Sequence, residues 1–522
     1  MPQPACIQSC IRHTDLPGTS RLFSDFAYHF DRVNRFYRHD PHGRASFEDA
    51  AKEIRYPDER RAALVAALRD QNGDSEALTK LAQPGTVAVV TGQQVGVFSG
   101  PAYTVYKALT AVKLARRLTG DGIPAVPVFW LATEDHDFAE VDHVWMFGAA
   151  GVPQTLRVNG PSGEKQRPVG PVPVARFPVD ELSALLTGLP YASDVIDAVK
   201  QAYPDGITMG EGFHRLLKTL LGKFGLLYLN PLDPAIRAIG APFMSDALRA
   251  APILRTLLTE RNCELTDAGY HAQVHVDNKT SLFFMLENGG RATLRLKDEE
   301  YAGLANRAAD VSPNALLRPV WQDFLLPTIA YVGGPGELAY LAQSEVLYMH
   351  LLGRMPVAVS RSGFTIVDAR SAKLLERFKL SLPQVFTNET ALKERIASSL
   401  VPRPVEKTLE SALEEITRQV DRARAELLAF DPTLAAALDK SRSKIVYQME
   451  KMRQNTAREA LRRDDRAEAD AMHLASAFYP HRHPQERFYS ILPFLAQYGF
   501  DLIDRLHDAV ELDCPDHQIY AA

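Results

Sequence analysis

Two short apolar runs separated by a helix-length segment restrict the fold more than any other feature. Thr86–Val90 (TVAVV) is β-branched and leads at once into Thr91-Gly92-Gln93-Gln94-Val95-Gly96. A helical pattern runs from Pro101 to Leu118 and closes at Gly120, and Ala125–Ala132 (AVPVFWLA) is apolar almost throughout. A strand covered on both faces reads as such a continuous run, whereas a half-exposed strand alternates. Strand, loop, helix, strand therefore predicts a βαβ unit with a right-handed crossover. Gly225–Leu229, Thr328–Val332 and Pro356–Ser360 read as further strands, the second running into Gly333-Gly334-Pro335-Gly336-Glu337 and a helix through Leu352. The expected fold class is α/β, a Rossmann-like parallel sheet core.

A chain of 522 residues is long for one such sheet, and the surplus falls in recognisable places. Phe47–Leu81 is a helical lead-in stopped by Gln83-Pro84-Gly85. Two insertions are expected near 148–204, rich in Gly and Pro, and near 262–314, where Asn288-Gly289-Gly290 joins Ser281–Leu286 to Arg291–Leu296 as a β-hairpin. From Pro404, Leu409, Leu413, Ile416, Val420, Ala423 and Leu427 step by four and three, a heptad seam. Asp431-Pro432 restarts a helix carrying Leu434, Leu438, Ile445, Met449 and Met452, so an antiparallel two-helix arm is expected. Such an arm needs a partner surface, and a second copy is the simplest one. The domains read as 1–385 for the core with its insertions, 386–466 for the α-helical coiled coil, and 467–522 for a tail that returns to the core.

Charge and cysteine content narrow the function classes. With 59 Lys and Arg against 64 Asp and Glu, the net charge of −5 gives no broad positive field for nucleic acid. Lys440, Arg442, Lys444, Lys451, Arg453, Arg458, Arg462 and Arg463 form a local basic stripe on the second arm, open to nucleotide phosphates. Cys6, Cys10, Cys263 and Cys514 show no CxxC pair or zinc-ligand spacing, which favours a reducing cytoplasm. No apolar stretch approaches the roughly 18 residues of a membrane span.

In open α/β sheets ligands bind outside the carboxyl ends of the strands, and the unusual polar clusters fall there. After the first strand come Thr91, Gly92, Gln93, Gln94 and Gly96, then the helix bearing Tyr103 and Lys107, a setting suited to phosphate or carboxylate. After the second come Glu134, Asp135, His136 and Asp137, with Glu140 and His143, a set of acid–base groups suited to deprotonating an amine. N-capping and solvated loop charge also account for them, and no metal site is assigned. The third cluster joins Asn314, Arg318, Gln322 and Asp323 to Gly333, Gly334 and Glu337: Arg318 suits a carboxylate, Glu337 an ammonium, and Arg361 ends the last strand. GxSxG, HExxH, SxxK and kinase signatures are absent.

The stretches TGQQVGVFSGPAYTVYKA (Thr91–Ala108), VPVFWLATEDHDFAEVDHV (Val126–Val144) and SPNALLRPVWQDFLLPTIAYVGGPGELAYLAQ (Ser312–Gln343), with the DPTL turn (Asp431–Leu434) and PQER (Pro484–Arg487), closely resemble the cysteine-adding enzymes of bacillithiol biosynthesis, the BshC family. The resemblance spans essentially the whole chain. It implies a Rossmann-like core with two connecting insertions, a coiled coil that forms a homodimer, and a last biosynthetic step in which cysteine is joined to the amine of glucosaminyl-malate. Amide formation in water is uphill, so ATP or another nucleotide is expected to activate the carboxyl, although no recognised ATP motif is present. On that resemblance, the TGQQ loop would take a phosphate or the malate carboxylate. Asp135 or His136 would hold and deprotonate the amine, and Arg318 and Glu337 would orient cysteine. Competing readings are a nucleotide-sensing coiled-coil interaction protein and a transferase using a nucleotide-sugar.

Overall fold

The runs expected as strands form one five-stranded parallel sheet in the computed structural model, which describes residues 7–160, 166–277 and 280–522. Cys6, residues 161–165 of the first insertion and Asn278-Lys279 of the second lie outside the described residues. The strands are β1 (Val87–Gln94), β2 (Ala125–Ala132), β3 (Leu227–Leu229), β4 (Thr328–Gly333) and β5 (Val357–Ser360). Their spatial order is β5-β4-β1-β2-β3, and every neighbouring pair is parallel. Strand order therefore reverses direction between β1 and β4, the topological switch point at which loops diverge and leave a crevice.

The apolar runs are continuous because both sheet faces are covered. Along β2, Val126, Val128 and Trp130 enter one core, while Phe129 and Leu131 enter another. Trp130 meets Trp321 edge to face at 5.4 Å. The helix Pro234–Arg249 passes close against Trp321 at Gly240, where a Cβ would lie 2.2 Å from the indole nitrogen. The crossover helix α1 (Tyr103–Gly120) follows β1, and α2 (Pro335–Leu352) follows β4. The lead-in resolves into helices Arg44–Glu53, Asp58–Asn72 and Glu76–Leu81.

The described parts of both insertions carry helices and strands. In the first, Pro153–Arg157 pairs antiparallel with His143–Phe147, and helices Val179–Leu186 and Ala192–Ala202 follow. In the second, Phe283–Glu287 pairs with Gly290–Thr293 across a two-residue turn. Asn288 and Gly289 have φ of 52° and 74°, the left-handed pair that a type I′ hairpin demands. Val311–Pro313 completes this small sheet on the other side of Phe283–Glu287. Ile7–Ile11 pairs antiparallel with His517–Ala521, so the tail does return. This brings Cys10 and Cys514 to an Sγ–Sγ distance of 3.9 Å, although both thiols are free, as is Cys263.

The chain divides into two compact units, one running through Ile366 and resuming at Glu486–Ala522, the other Val367–Gln485. Residues 367–385 and 467–485 thus group with the helical unit, rather than with the core and tail as the expected boundaries had them. The physical reason is mutual packing of short helices: Ser371 Oγ lies 3.0 Å from His473 Nε2, Arg377 bonds Asp470 at 2.9 Å, and Lys393 bonds Glu468 at 2.8 Å.

Within the helical unit, α3 (Arg403–Phe430, 28 residues) and α4 (Pro432–Arg462, 31 residues) form the antiparallel arm. At 1.5 Å per residue each helix is about 40 Å long or more. Asp431 caps α4 by accepting from the Thr433 N–H at 2.7 Å. Arg424–Asp439 at 2.7 Å and Arg442–Asp421 at 3.0 Å tie the two helices together. Arg453 is bonded to Glu450, and Arg462 and Arg463 share Glu459, so with Arg442 half of the residues of the basic stripe are already paired with carboxylates. The seam is only half covered: no residue of α3 is buried, and Phe430 at the tip is 83% exposed. Among the described residues no helix is long and apolar enough to cross a membrane.

Candidate active site

The carboxyl ends of β1, β2 and β4, with Arg361 just beyond β5, open on a cavity of about 480 Å³ at the switch point. All three sequence clusters contribute to it: Gly92, Gln93, Gln94 and Tyr103; Glu134, Asp135 and His136; Asn314, Arg318, Gly334, Glu337 and Arg361.

The wall made by β1 rests on a buried cation. Lys107, 1% exposed on α1, donates to Gly92 O at 2.6 Å and Gln93 Oε1 at 3.0 Å, and pairs with Glu337 Oε2 at 2.6 Å. Burial pushes the Lys107 pKa down, and Glu337 only partly opposes it. On Glu337 burial acts upward. It is outweighed by the Lys107 ammonium, the Gly334 N–H at 2.9 Å and the Tyr331 hydroxyl at 2.8 Å, which hold its carboxyl below the usual range. Gln93 Nε2 donates to Tyr103 Oη at 3.1 Å. Gly92 faces Trp130 across the sheet, and a Cβ there would sit 2.7 Å from the Trp130 carbonyl oxygen. Its absent side chain thus serves strand packing. Gly92→Ala is expected to separate the ends of β1 and β2 and to lower the thermal unfolding midpoint by several degrees, measured calorimetrically.

The acidic wall is a hydrogen-bonded chain. Gln94 Nε2 donates to Asp135 Oδ2 at 2.8 Å and Glu140 Oε2 at 2.7 Å, while the His136 N–H donates to Asp135 Oδ1 at 2.7 Å. Burial acts to raise the Asp135 pKa, but the Gln94 bond, Arg291 and the backbone donors prevail and lower it. Arg291, buried on the inserted hairpin, donates to His136 Nδ1 at 2.8 Å, to Ser312 Oγ at 3.1 Å and to Pro313 O at 2.8 Å. Its guanidinium lies 3.9 Å from the Phe284 ring centroid. Burial and then Arg291 push the His136 pKa down, against Asp135 and Asp137. Glu134 is 2% exposed; Ser312 Oγ donates to its Oε2 at 2.8 Å, Arg237 Nη1 lies 3.7 Å from the same oxygen, and Oε1 has no partner.

The cationic wall comes from the start of the helix Arg318–Leu325, the residue after β5 and the returning tail. Arg318 donates to Tyr340 Oη at 2.7 Å and, weakly, to Gln322 Oε1 at 3.4 Å, so no carboxylate is hydrogen-bonded to it. Burial lowers its pKa, yet Tyr340, Tyr331 and Glu337 outweigh this and raise it, fixing a cation. Arg361 is clamped in a bidentate pair with Glu486 at 2.8 and 2.5 Å, and Arg487 lines the cavity beside it.

The family follows from comparison with known proteins. Residues 9–362 match the family model described as "Bacillithiol biosynthesis BshC, N-terminal Rossmann-like domain", and residues 364–522 match "Bacillithiol biosynthesis BshC, C-terminal coiled-coil domain". The chain belongs to the BshC family. A Solibacter usitatus protein named "Putative cysteine ligase BshC" is 54% identical over 520 residues, covering 98% of this chain and 99% of that one. Proteins of the same name from Koribacter versatilis and Salinibacter ruber are 34% and 32% identical, over 98% and 95% of this chain and 99% and 95% of theirs.

In this BshC family member some expected site residues stand behind the cavity. Thr91 donates to Val332 O at 2.8 Å and is structural. Gly96 is buried against Gly100, and Gly333 accepts from the Arg361 N–H at 2.9 Å. Lys107 acts through Gln93 and Glu337, and Asp137 is exposed outside the cavity lining. Asn314 lines the cavity but uses its Oδ1 to accept from the N–H groups of Leu316 and Leu317, both at 3.0 Å. His143 turns to Asp142 at 2.8 Å. Among the described residues no group of three or more His, Cys, Asp or Glu is arranged to hold a metal ion. Sequence reading missed Arg291, Phe284, Tyr340 and Arg487 as lining residues. Tyr340 was findable, three residues after Glu337 on one helix face. So was Arg487, the final residue of PQER. Arg291 was not, because nothing local says that the hairpin folds back over β2.

Proposed function

We propose that this BshC family member joins the carboxyl of cysteine to the amine of glucosaminyl-malate, the last step of bacillithiol synthesis. One observation carries this reading within the family: a single cavity is lined both by Arg318, a cation with no hydrogen-bonded carboxylate, and by Glu134, a buried carboxylate with one oxygen that accepts no hydrogen bond. Such a site suits a ligand that is anionic at one end and an ammonium at the other. Arg318 receives carboxylate, since a guanidinium fork matches carboxylate geometry. The Glu134–Asp135 wall receives the amine, and Glu337, held by Lys107, keeps the intervening surface polar.

An activated carboxyl is needed: a nucleoside triphosphate would supply the activating group, the cysteine carboxylate oxygen taking its γ-phosphoryl or adenylyl group as nucleoside diphosphate or pyrophosphate leaves. The residues present fit the nucleotide's anionic part, because Arg487 lines the cavity together with the Gly334-Pro335-Gly336 entry of α2. The freed amine then attacks the acyl carbon, and the leaving phosphate or nucleotide departs with the bonding pair.

Incubating the purified chain with glucosaminyl-malate, cysteine and ATP is expected to give the amide and a stoichiometric nucleotide by-product by mass spectrometry. Asp135→Asn and His136→Ala, shown to be folded, should each slow product formation by at least tenfold. No amide with any nucleotide, or full rates in both variants, would refute the reading.

The proposal places the enzyme in the cytoplasm, where its free thiols and a thiol substrate stay reduced. It also places two copies together through the half-covered seam of α3 and α4. Light scattering should then return twice the 57.9 kDa chain mass, and Phe430→Glu with Leu434→Glu should shift it toward one.

A further inference from the structure

The four acid–base groups after β2 are not interchangeable, because neighbouring residues have already committed several of their atoms. Arginine only donates, so the 2.8 Å contact from Arg291 requires His136 Nδ1 to be the acceptor. The ring proton then sits on Nε2, and His136 enters the cavity as a neutral donor. Asp135 is equally engaged, Oδ2 by Gln94 and Oδ1 by the His136 N–H. Asp137 is exposed and outside the cavity lining. Glu134 alone combines near-complete burial, a place in the cavity wall and an oxygen without a partner. Its other oxygen is fixed by Ser312, itself gripped by Arg291, so the hairpin orients both groups.

We infer that Glu134 holds the incoming ammonium at Oε1 and takes its proton, while His136, fixed by Arg291, serves as a hydrogen-bond donor from Nε2. This rests on the amino-sugar reading above and assigns the base within it. One proton passes from nitrogen to Glu134 Oε1, freeing the nitrogen lone pair. The charged groups facing Glu134 are Arg237 at 3.7 Å and Arg291; those facing His136 are Arg291, Asp135 at 3.8 Å and Asp137. Arg291 also lines the cavity, and its part in this assignment is that of a positioning residue, acting on the amine through these two.

Calorimetry on the full chain separates the outcomes. Wild type should bind glucosaminyl-malate about 100-fold more tightly than its N-acetyl derivative, and Glu134→Gln should abolish that preference while Glu134→Asp keeps part of it. Wild-type affinity should fall as pH rises past the amine's own pKa. In turnover, Glu134→Gln should lower kcat about 1000-fold with KM for cysteine unchanged, and His136→Gln, which keeps an N–H donor, should keep the acid limb of the pH profile. A folded Glu134→Gln with the wild-type amine preference overturns the assignment, as does loss of that acid limb in His136→Gln. If wild type binds neither ligand, the substrate reading itself fails and takes this assignment with it.

Discussion

Glu486→Ala is expected to cost the sheet-bearing unit about 3–5 kcal/mol in urea unfolding, the loss typical when one partner of a buried ion pair is removed. Its carboxylate and the Arg361 guanidinium are 7% and 5% exposed and meet through two bonds, and Glu486 Oε2 also accepts the Phe364 N–H at 3.1 Å. Removing it strands Arg361 in the cavity wall and frees an amide at the edge of the core. The same pair sets an acid limit. Burial acts to raise the Glu486 pKa, but Arg361 prevails and brings it from an ordinary 4.5 to about 2. A depressed folded value means the contribution is fully present above pH 4.5 and is lost as pH falls toward 2, a term of roughly 3 kcal/mol. Wild-type stability should therefore decline across that window more steeply than that of Glu486→Gln; parallel curves would refute the linkage.

Arg318→Ala should weaken binding of the sugar-linked dicarboxylate about 100-fold in calorimetry, with little change in the thermal midpoint. Arg318 gives its bonds to neutral groups, Tyr340 and Gln322, so its removal strands no hydrogen-bonded carboxylate while emptying the cavity of its fixed anion anchor. Arg318→Lys should restore only part of the affinity, since a point charge lacks the planar fork. Wild-type affinity in the alanine variant would move the anion site elsewhere, toward Arg487.

The parallel strands were legible because burial on both faces leaves an unmistakable mark: Thr328–Gly333 and Ala125–Ala132 have almost no polar interruption. The hairpin was legible for a different reason, the left-handed demand met by Asn288-Gly289. Convergence of three clusters on one cavity also follows from strand-end placement, since parallel strands put all their carboxyl ends on one edge. Which atoms remain available could not be read. His136 looks like a base in one dimension, and only the approach of Arg291, 155 residues later, fixes its proton on the other nitrogen. Likewise, TGQQ reads as a loop whose glycine cradles phosphate, whereas Thr91–Gln94 is the end of β1 and the glycine's lack of a side chain answers to the Trp130 carbonyl.

The pairing of Ile7–Ile11 with His517–Ala521, and the clamp that Glu486 places on Arg361, give the polypeptide a particular birth order. A nascent chain synthesised up to Gln485 holds the whole helical arm but lacks the segment that closes the first unit. During translation the arm has every residue it needs to fold while its neighbour waits. The anionic counterweight to Arg361 therefore arrives only after the whole helical arm, and chains cut short before residue 486 lack the carboxylate that clamps it.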